Sequence, residues 1–148
     1  MADIIDLVEY LLTKMGPITA SKLQKLVYYC QAWHLVWTET PLFSEKIEAW
    51  KNGPVIPALY AAYKGHFKLH AGFFYEKHPE KLPCDLSDNE KDIINRVLDF
   101  YGPRDAHWLS ELVHMEEPWK LARLKSGNHD HSTDEISHHS IFEYYCSL

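Results

Sequence analysis

The chain has 148 residues, 46% of them hydrophobic and 14% aromatic, and a formal net charge of −6 with histidines neutral. That length suits one domain, residues 1–148, able to bury a core without disulfide staples, and a charged fraction of 24% excludes a largely disordered chain. The acidic balance argues against nucleic acid as a partner, because sequence-independent binding there works through counterion release by Lys and Arg; a basic protein partner suits it better.

Residues 3–15 place Ile4, Ile5, Leu7, Val8, Leu11, Leu12 and Met15 at helical spacing. Asp3 and Asp6 favour the positive end of that helix, and Gly16-Pro17 stops it. Thr19 is the expected cap of a second helix over about 20–37. Its apolar residues Leu23, Leu26, Val27, Cys30, Trp33, His34 and Trp37 cover more than half the circumference. A helix apolar over so wide an arc is enclosed by neighbours, so it is read as the central helix.

Pro41-Leu42-Phe43 opens an extended segment, and residues 47–50 alternate as a short strand does. Asn52-Gly53-Pro54 reads as a turn, and Pro57 suits the first position of a third helix, running to Lys64 with Gly65 closing it. Residues 66–83 are too apolar for a free loop, yet Gly72 and Pro79 break long elements. A packed irregular segment or a short strand near Gly72–Tyr75 is expected there. Ser87-Asp88-Asn89-Glu90 is a capping box opening a helix with Ile93, Ile94, Val97, Leu98 and Tyr101 inward, ended by Gly102-Pro103. Asp105 caps the next helix, to His114, with Trp108, Leu109 and Leu112 inward. Pro118 starts another through Leu124, residues 125–135 read as polar loop, and Ser137 caps the last helix. The fold class is mainly α (α+β): six or seven helices with a two- or three-stranded β element.

Chemistry is sparse. His114, Glu116 and Glu117 form the most enzyme-like cluster, in which a histidine beside carboxylates is a general base or metal ligand. The competing reading is capping: acids at a helix start beside Pro118, and an imidazole at the preceding helix end. His129, His131, His138 and His139 lack cysteine partners at zinc spacing and read as solvated. Neither a nucleophile elbow nor a phosphate-cradling glycine loop occurs, and Cys30, Cys84 and Cys146 form no CxxC pair. No catalytic residue, metal or cofactor is therefore expected. Free thiols suit a reducing compartment; with acids where a signal peptide has positive charge and no apolar run near about 18 residues, the expected location is cytoplasmic, with no membrane contact.

Three blocks in order resemble the Panacea domain, the family of SocA-like antitoxins and of phage-associated proteins called GepA. They are residues 22–33 (Lys-Leu-Gln-Lys-Leu-Val-Tyr-Tyr-Cys-Gln-Ala-Trp), Pro41-Leu42-Phe43 with residues 48–60, and residues 109–123. Val113 stands where the family often has Thr. The resemblance implies a non-enzymatic antitoxin of a type II toxin–antitoxin system, binding a cognate protein toxin encoded beside it; a protease adaptor that delivers the toxin is the alternative, with an enzyme built on His114, Glu116 and Glu117 behind it. A homo-oligomer is compatible with either. Under this reading Leu23, Gln24, Leu26, Trp33, Gly53, Pro54, Val55, Pro57, Leu109, Ser110, His114, Pro118, Trp119 and Arg123 build the scaffold. The toxin-binding candidates are exposed members of Lys22, Lys25, Tyr28, Tyr29, Trp50, Asn52, Tyr60, Tyr63 and Trp119.

Overall fold

The computed structural model describes residues 1–125, 127 and 134–148. Helix α1 (Ile4–Met15) leads through β1 (Ile18–Thr19) into α2 (Ala20–Thr38), followed by the hairpin β2 (Glu48–Trp50) and β3 (Gly53–Val55). Then come α3 (Pro57–Tyr63), β4 (Lys68–Leu69), α4 (Phe73–Lys77), α5 (Asp88–Tyr101), α6 (Ala106–Met115), α7 (Glu117–Lys125) and α8 (His138–Cys146). The described residues thus form eight helices and two antiparallel strand pairs, the expected mainly α class with a small β component.

Helix α2, 19 residues and about 28 Å long, is the axis of the molecule. It packs against α5, α8, α6 and the β2–β3 hairpin, so Leu23, Leu26, Val27, Tyr28, Tyr29, Cys30 and Ala32 are all fully enclosed. Two glutamines on it bind extended backbone as a neighbouring strand would. The Gln24 amide accepts from Ile56 N (2.9 Å) and donates to Ile56 O (3.2 Å). One heptad later, Gln31 accepts from Leu42 N (2.6 Å) and donates to Phe43 O (2.9 Å). Each satisfies buried backbone groups that no sheet reaches.

The caps lie where the sequence puts them. Thr19 accepts from Lys22 N, Asp105 from Trp108 N and Ser137 from Ser140 N, while Ser87 and Glu90 make both bonds of a capping box. The turn of the hairpin is Lys51-Asn52, and Gly53-Pro54 already belong to β3, paired with Trp50 and Ala49. Gly53 has φ +132°, and a Cβ there would stand 3.3 Å from Lys25 Cε, so any other residue meets both backbone strain and a buried side chain. Past the loop expected over 125–135, residues 134–136 line up on β2: Ala49 N donates to Asp134 O and Ile136 N to Ile47 O, both at 2.8 Å. His129 and His131 lie outside the described residues.

Residues 66–83 depart from expectation. Lys68–Leu69 pairs with β1 in the register Ile18↔Leu69, and the stretch read as a possible strand near Gly72–Tyr75 is the start of helix α4. The cause lies 63 or more residues away on α1. The Glu9 carboxylate, itself buried, accepts from Gly72 N at 2.7 Å, Phe74 N at 2.8 Å and Tyr75 N at 3.1 Å. Asp6 likewise does more than complement its own helix: it accepts from Tyr75 Oη, Lys81 Nζ and Cys84 N. Burial pushes the Asp6 carboxyl up, but the Tyr75 hydroxyl, the Cys84 amide and Lys81 together hold it below the usual range. Two acids on one helix thus anchor the whole segment 72–84.

Replacing Glu9 by Ala strands three amides, which is expected to cost roughly 2–4 kcal/mol and to raise hydrogen exchange selectively over residues 72–78. Unchanged protection there would mean that α4 holds itself.

Candidate functional site

The three sequence blocks meet around the C-terminal half of α6. The β2–β3 turn lies against it, with Ser110 Oγ donating to Asn52 O at 3.4 Å. Trp119 of α7 donates to Trp50 O at 2.8 Å, and Arg123 to Ala49 O at 3.3 Å. His114 packs on the Trp119 ring, 4.2 Å between centroids. Its Nε2 is buried and has no hydrogen-bond partner among the described residues. Burial first, then the cations Lys25 and Arg123, hold its pKa below the ordinary imidazole value against the pull of the Asn52 carbonyl. The imidazole is therefore neutral here and does not serve as the charged helix-end group that its position suggested.

Lys25 is the other buried polar group of this cluster. It is 3% exposed, covered by the hairpin at Gly53, and its ammonium donates to Ser21 Oγ at 2.9 Å. Burial lowers its pKa to about 8.

On the other side of α6 a chain of hydroxyls converges on Glu116. Tyr29 and Tyr145 donate to its Oε1 at 2.6 and 2.8 Å, and Tyr28 and Tyr145 share a bond of 3.0 Å. Tyr29 stacks on Tyr101 at 4.0 Å and 10°, and Trp33 Nε1 donates to the Tyr101 hydroxyl at 3.0 Å. Burial holds the Glu116 pKa above the usual carboxylate range, although the two tyrosines pull it down; the Tyr101 phenol is pushed up to about 12 by burial. The Glu116 carboxylate lines an open groove of about 470 Å³, walled by Trp33, Trp37, Val97, Phe100, Tyr101 and Leu112.

Around that groove lies an exposed aromatic face. Trp37 is 46% exposed, Phe100 55% and Trp108 38%. Arginines cover these rings: Arg96 lies 6.0 Å from the Trp37 centroid, and Arg104 5.9 Å from Phe100 and 4.6 Å from Trp108.

The sequence candidates for partner contact distribute differently. Lys25, Tyr28, Tyr29 and Tyr63 are buried and so are not among the exposed members of the set: α2 is enclosed from Leu23 to Ala32, and the Tyr63 hydroxyl accepts from Gln24 Nε2. Lys22 is half-buried, its ammonium on Gly102 O at 2.7 Å. Trp50, Tyr60 and Trp119 are half-buried, with Trp50 edge-on to Tyr60, and Asn52 is exposed at the hairpin turn. Of the scaffold set, Leu23, Gln24, Leu26, Gly53, Pro54, Leu109, Pro118 and Arg123 are buried; Trp33, Val55, Pro57, Ser110, His114 and Trp119 are half-buried. Trp37 and Trp108, expected inward, emerge instead as surface rings: Trp37 lies in the last turn of α2, and Trp108 lies on the outward side of α6 beside fully buried Leu109. Exposed Phe100 was left off the inward face of its helix by the periodicity, the one signal that pointed to this surface.

His114, Glu116 and Glu117 share no hydrogen bond or ion pair among the described residues: Glu116 serves the tyrosines, His114 lies on Trp119, and Glu117 is exposed. Among those residues no group of three or more His, Cys, Asp and Glu side chains is placed to hold a metal ion. His138 sits 3.5 Å from Gln31 Nε2, and His139 pairs with Glu143. No helix among the described residues is long and apolar enough to cross a membrane.

Comparison with family models matches residues 23–120 to the antitoxin SocA-like, Panacea domain. That span is well over half the chain, and the protein belongs to this family. Searches of curated proteins and of solved structures returned no match.

The buried Lys25 fixes one pH dependence. Its folded pKa of about 8 lies below the ordinary 10.5, so between these values the unfolded chain binds the extra proton and stability rises with pH. Replacing Lys25 by Met is expected to stabilise the protein at pH 7 by on the order of 2–4 kcal/mol and to flatten the rise between pH 7.5 and 9.5, read by urea unfolding. An unchanged slope would mean that the lysine is solvated.

Proposed function

We propose that this protein is an antitoxin that neutralises a cognate protein toxin by direct contact, using the aromatic face around Trp37, Phe100 and Trp108. Family membership supplies the antitoxin class. The observation that carries the contact is the combination of exposed large rings with arginines laid across them. Tryptophan and arginine are over-represented among residues that dominate binding energy, and an exposed apolar patch beside a groove is a recurrent mark of an interaction surface. The reading makes it the protein antitoxin of a type II system, acting in the cytoplasm on a toxin encoded next to it. Its role is then binding, with no bond made or broken. The folded core supports the surface, and the buried motif residues shape it without touching the toxin.

The product of the adjacent gene is expected to arrest growth when expressed alone and to be harmless with this protein. The double variant Trp37→Ala, Phe100→Ala should fold normally, since both rings are surface groups, yet lose about 100-fold or more in toxin affinity and fail to rescue growth. Full rescue by that variant would place the contact elsewhere. A toxin half-life that shortens only when the antitoxin is present would assign neutralisation to delivery for proteolysis.

A further inference from the structure

The groove beside Glu116 has a chemical specificity beyond apolar contact. We propose that it takes one basic side chain, an arginine or lysine, from the bound partner protein, with the Glu116 carboxylate as its counter-charge and the Trp33, Trp37 and Tyr101 rings as its walls. The proposal rests on the antitoxin reading for the identity of the partner, while the pocket's preference for a cation is independent of it.

The carboxylate carries the argument. Glu116 is 6% exposed, and both tyrosine hydroxyls converge on Oε1. Oε2 accepts no hydrogen bond among the described residues, yet it is not among their buried polar atoms lacking a partner. It therefore keeps an opening, and the groove is the cavity this side chain lines. Burial holds this carboxyl above the usual carboxylate range, so its ionised form is short of solvation, and a cation placed beside it restores what water supplied and favours that form. Aromatic rings on the path favour a cation over a neutral donor, because ring faces carry partial negative charge. The cation already at the rim, Arg96, does not fill this role. Its Nε pairs with Asp92 at 3.3 Å on the surface of α5, and its guanidinium lies over Trp37. At about 470 Å³ the groove has room for a long basic side chain. The chain's net charge of −6 also favours a partner that brings positive charge.

The test uses two probes. N-acetyl-arginine amide is titrated into the protein alongside its neutral isostere N-acetyl-citrulline amide, followed by tryptophan fluorescence and amide NMR shifts. The arginine compound should bind at least about tenfold more tightly, with Trp33 and Trp37 responding, and Glu116→Gln should erase the difference. That variant keeps an acceptor for both tyrosines, removes the charge and turns the groove-side acceptor into an amide donor, which a cation does not match. In parallel, Glu116→Gln should weaken binding of the adjacent gene product at least about tenfold and flatten its salt dependence. Should Glu116→Gln not fold, Trp37→Ala and the arginine–citrulline contrast on the native protein decide the matter. Equal binding of the two compounds, or binding of neither, overturns the proposal. If the adjacent gene product binds the native protein and Glu116→Gln equally well, no basic side chain of that partner uses the pocket and the inference falls while the antitoxin reading stands. If that product does not bind at all, the antitoxin reading fails, and the arginine contrast still decides the pocket's chemistry.

Discussion

The fold depends on α2 being buried on every side while still carrying polar groups at regular intervals. A helix enclosed this way offers its neighbours no solvent with which to satisfy backbone groups. Gln24 and Gln31 resolve that by presenting a side-chain amide where a strand would otherwise present a peptide. Each bonds both polarities of an extended segment. The β2–β3 exit at Ile56 and the bend at Leu42-Phe43 are fixed to the same helix face, seven residues apart. The hairpin turn follows from that placement, and with it the seating of Gly53 over Lys25.

The same helix divides two kinds of polar interior. Toward the hairpin lie Lys25 and His114, whose pKa values burial lowers, so that side holds a buried structural cluster in which positive charge is disfavoured. Toward α5 and α8 lie the tyrosines and Glu116. There hydroxyls feed into one carboxylate oxygen and a groove leaves the other approachable. A buried acid supported by phenols is costly to leave unpaired, which gives that side the chemistry of a receptor. In the proposed mode of binding, the arginine-covered rings around it supply area and the carboxylate supplies selectivity.

Much of the architecture was legible because helix starts are local events. Thr19, Ser87 with Glu90, Asp105 and Ser137 each bond an amide within three residues, so spacing alone reveals them. Helix α4 was not legible, since its first amides are held by Glu9, far away in sequence. Enclosure also blurred the contact surface. Periodicity separates inside from outside only when a helix has an outside, and from Leu23 to Ala32 α2 has none, so it could not say which of Lys25, Tyr28 and Tyr29 is exposed. Trp37 and Trp108 differ in the opposite sense: large rings read as core, but Trp37 sits in the last turn of α2 and Trp108 on the outward side of α6, both exposed. The family-motif residues named as scaffold are all buried or half-buried, as expected if a shared core carries a variable surface.

The central claim is that recognition occurs on the face formed by the ends of α2 and α5 with α6, and it is tested most directly by hydroxyl-radical footprinting of the complex with the adjacent gene product. Trp37, Phe100 and Trp108 should each lose reactivity on binding while the exposed Phe67, next to β4 in the chain and off the groove lining, keeps its own. Protection centred on Phe67 or on the Lys51-Asn52 turn, with Trp37 and Phe100 still reactive, would contradict the account.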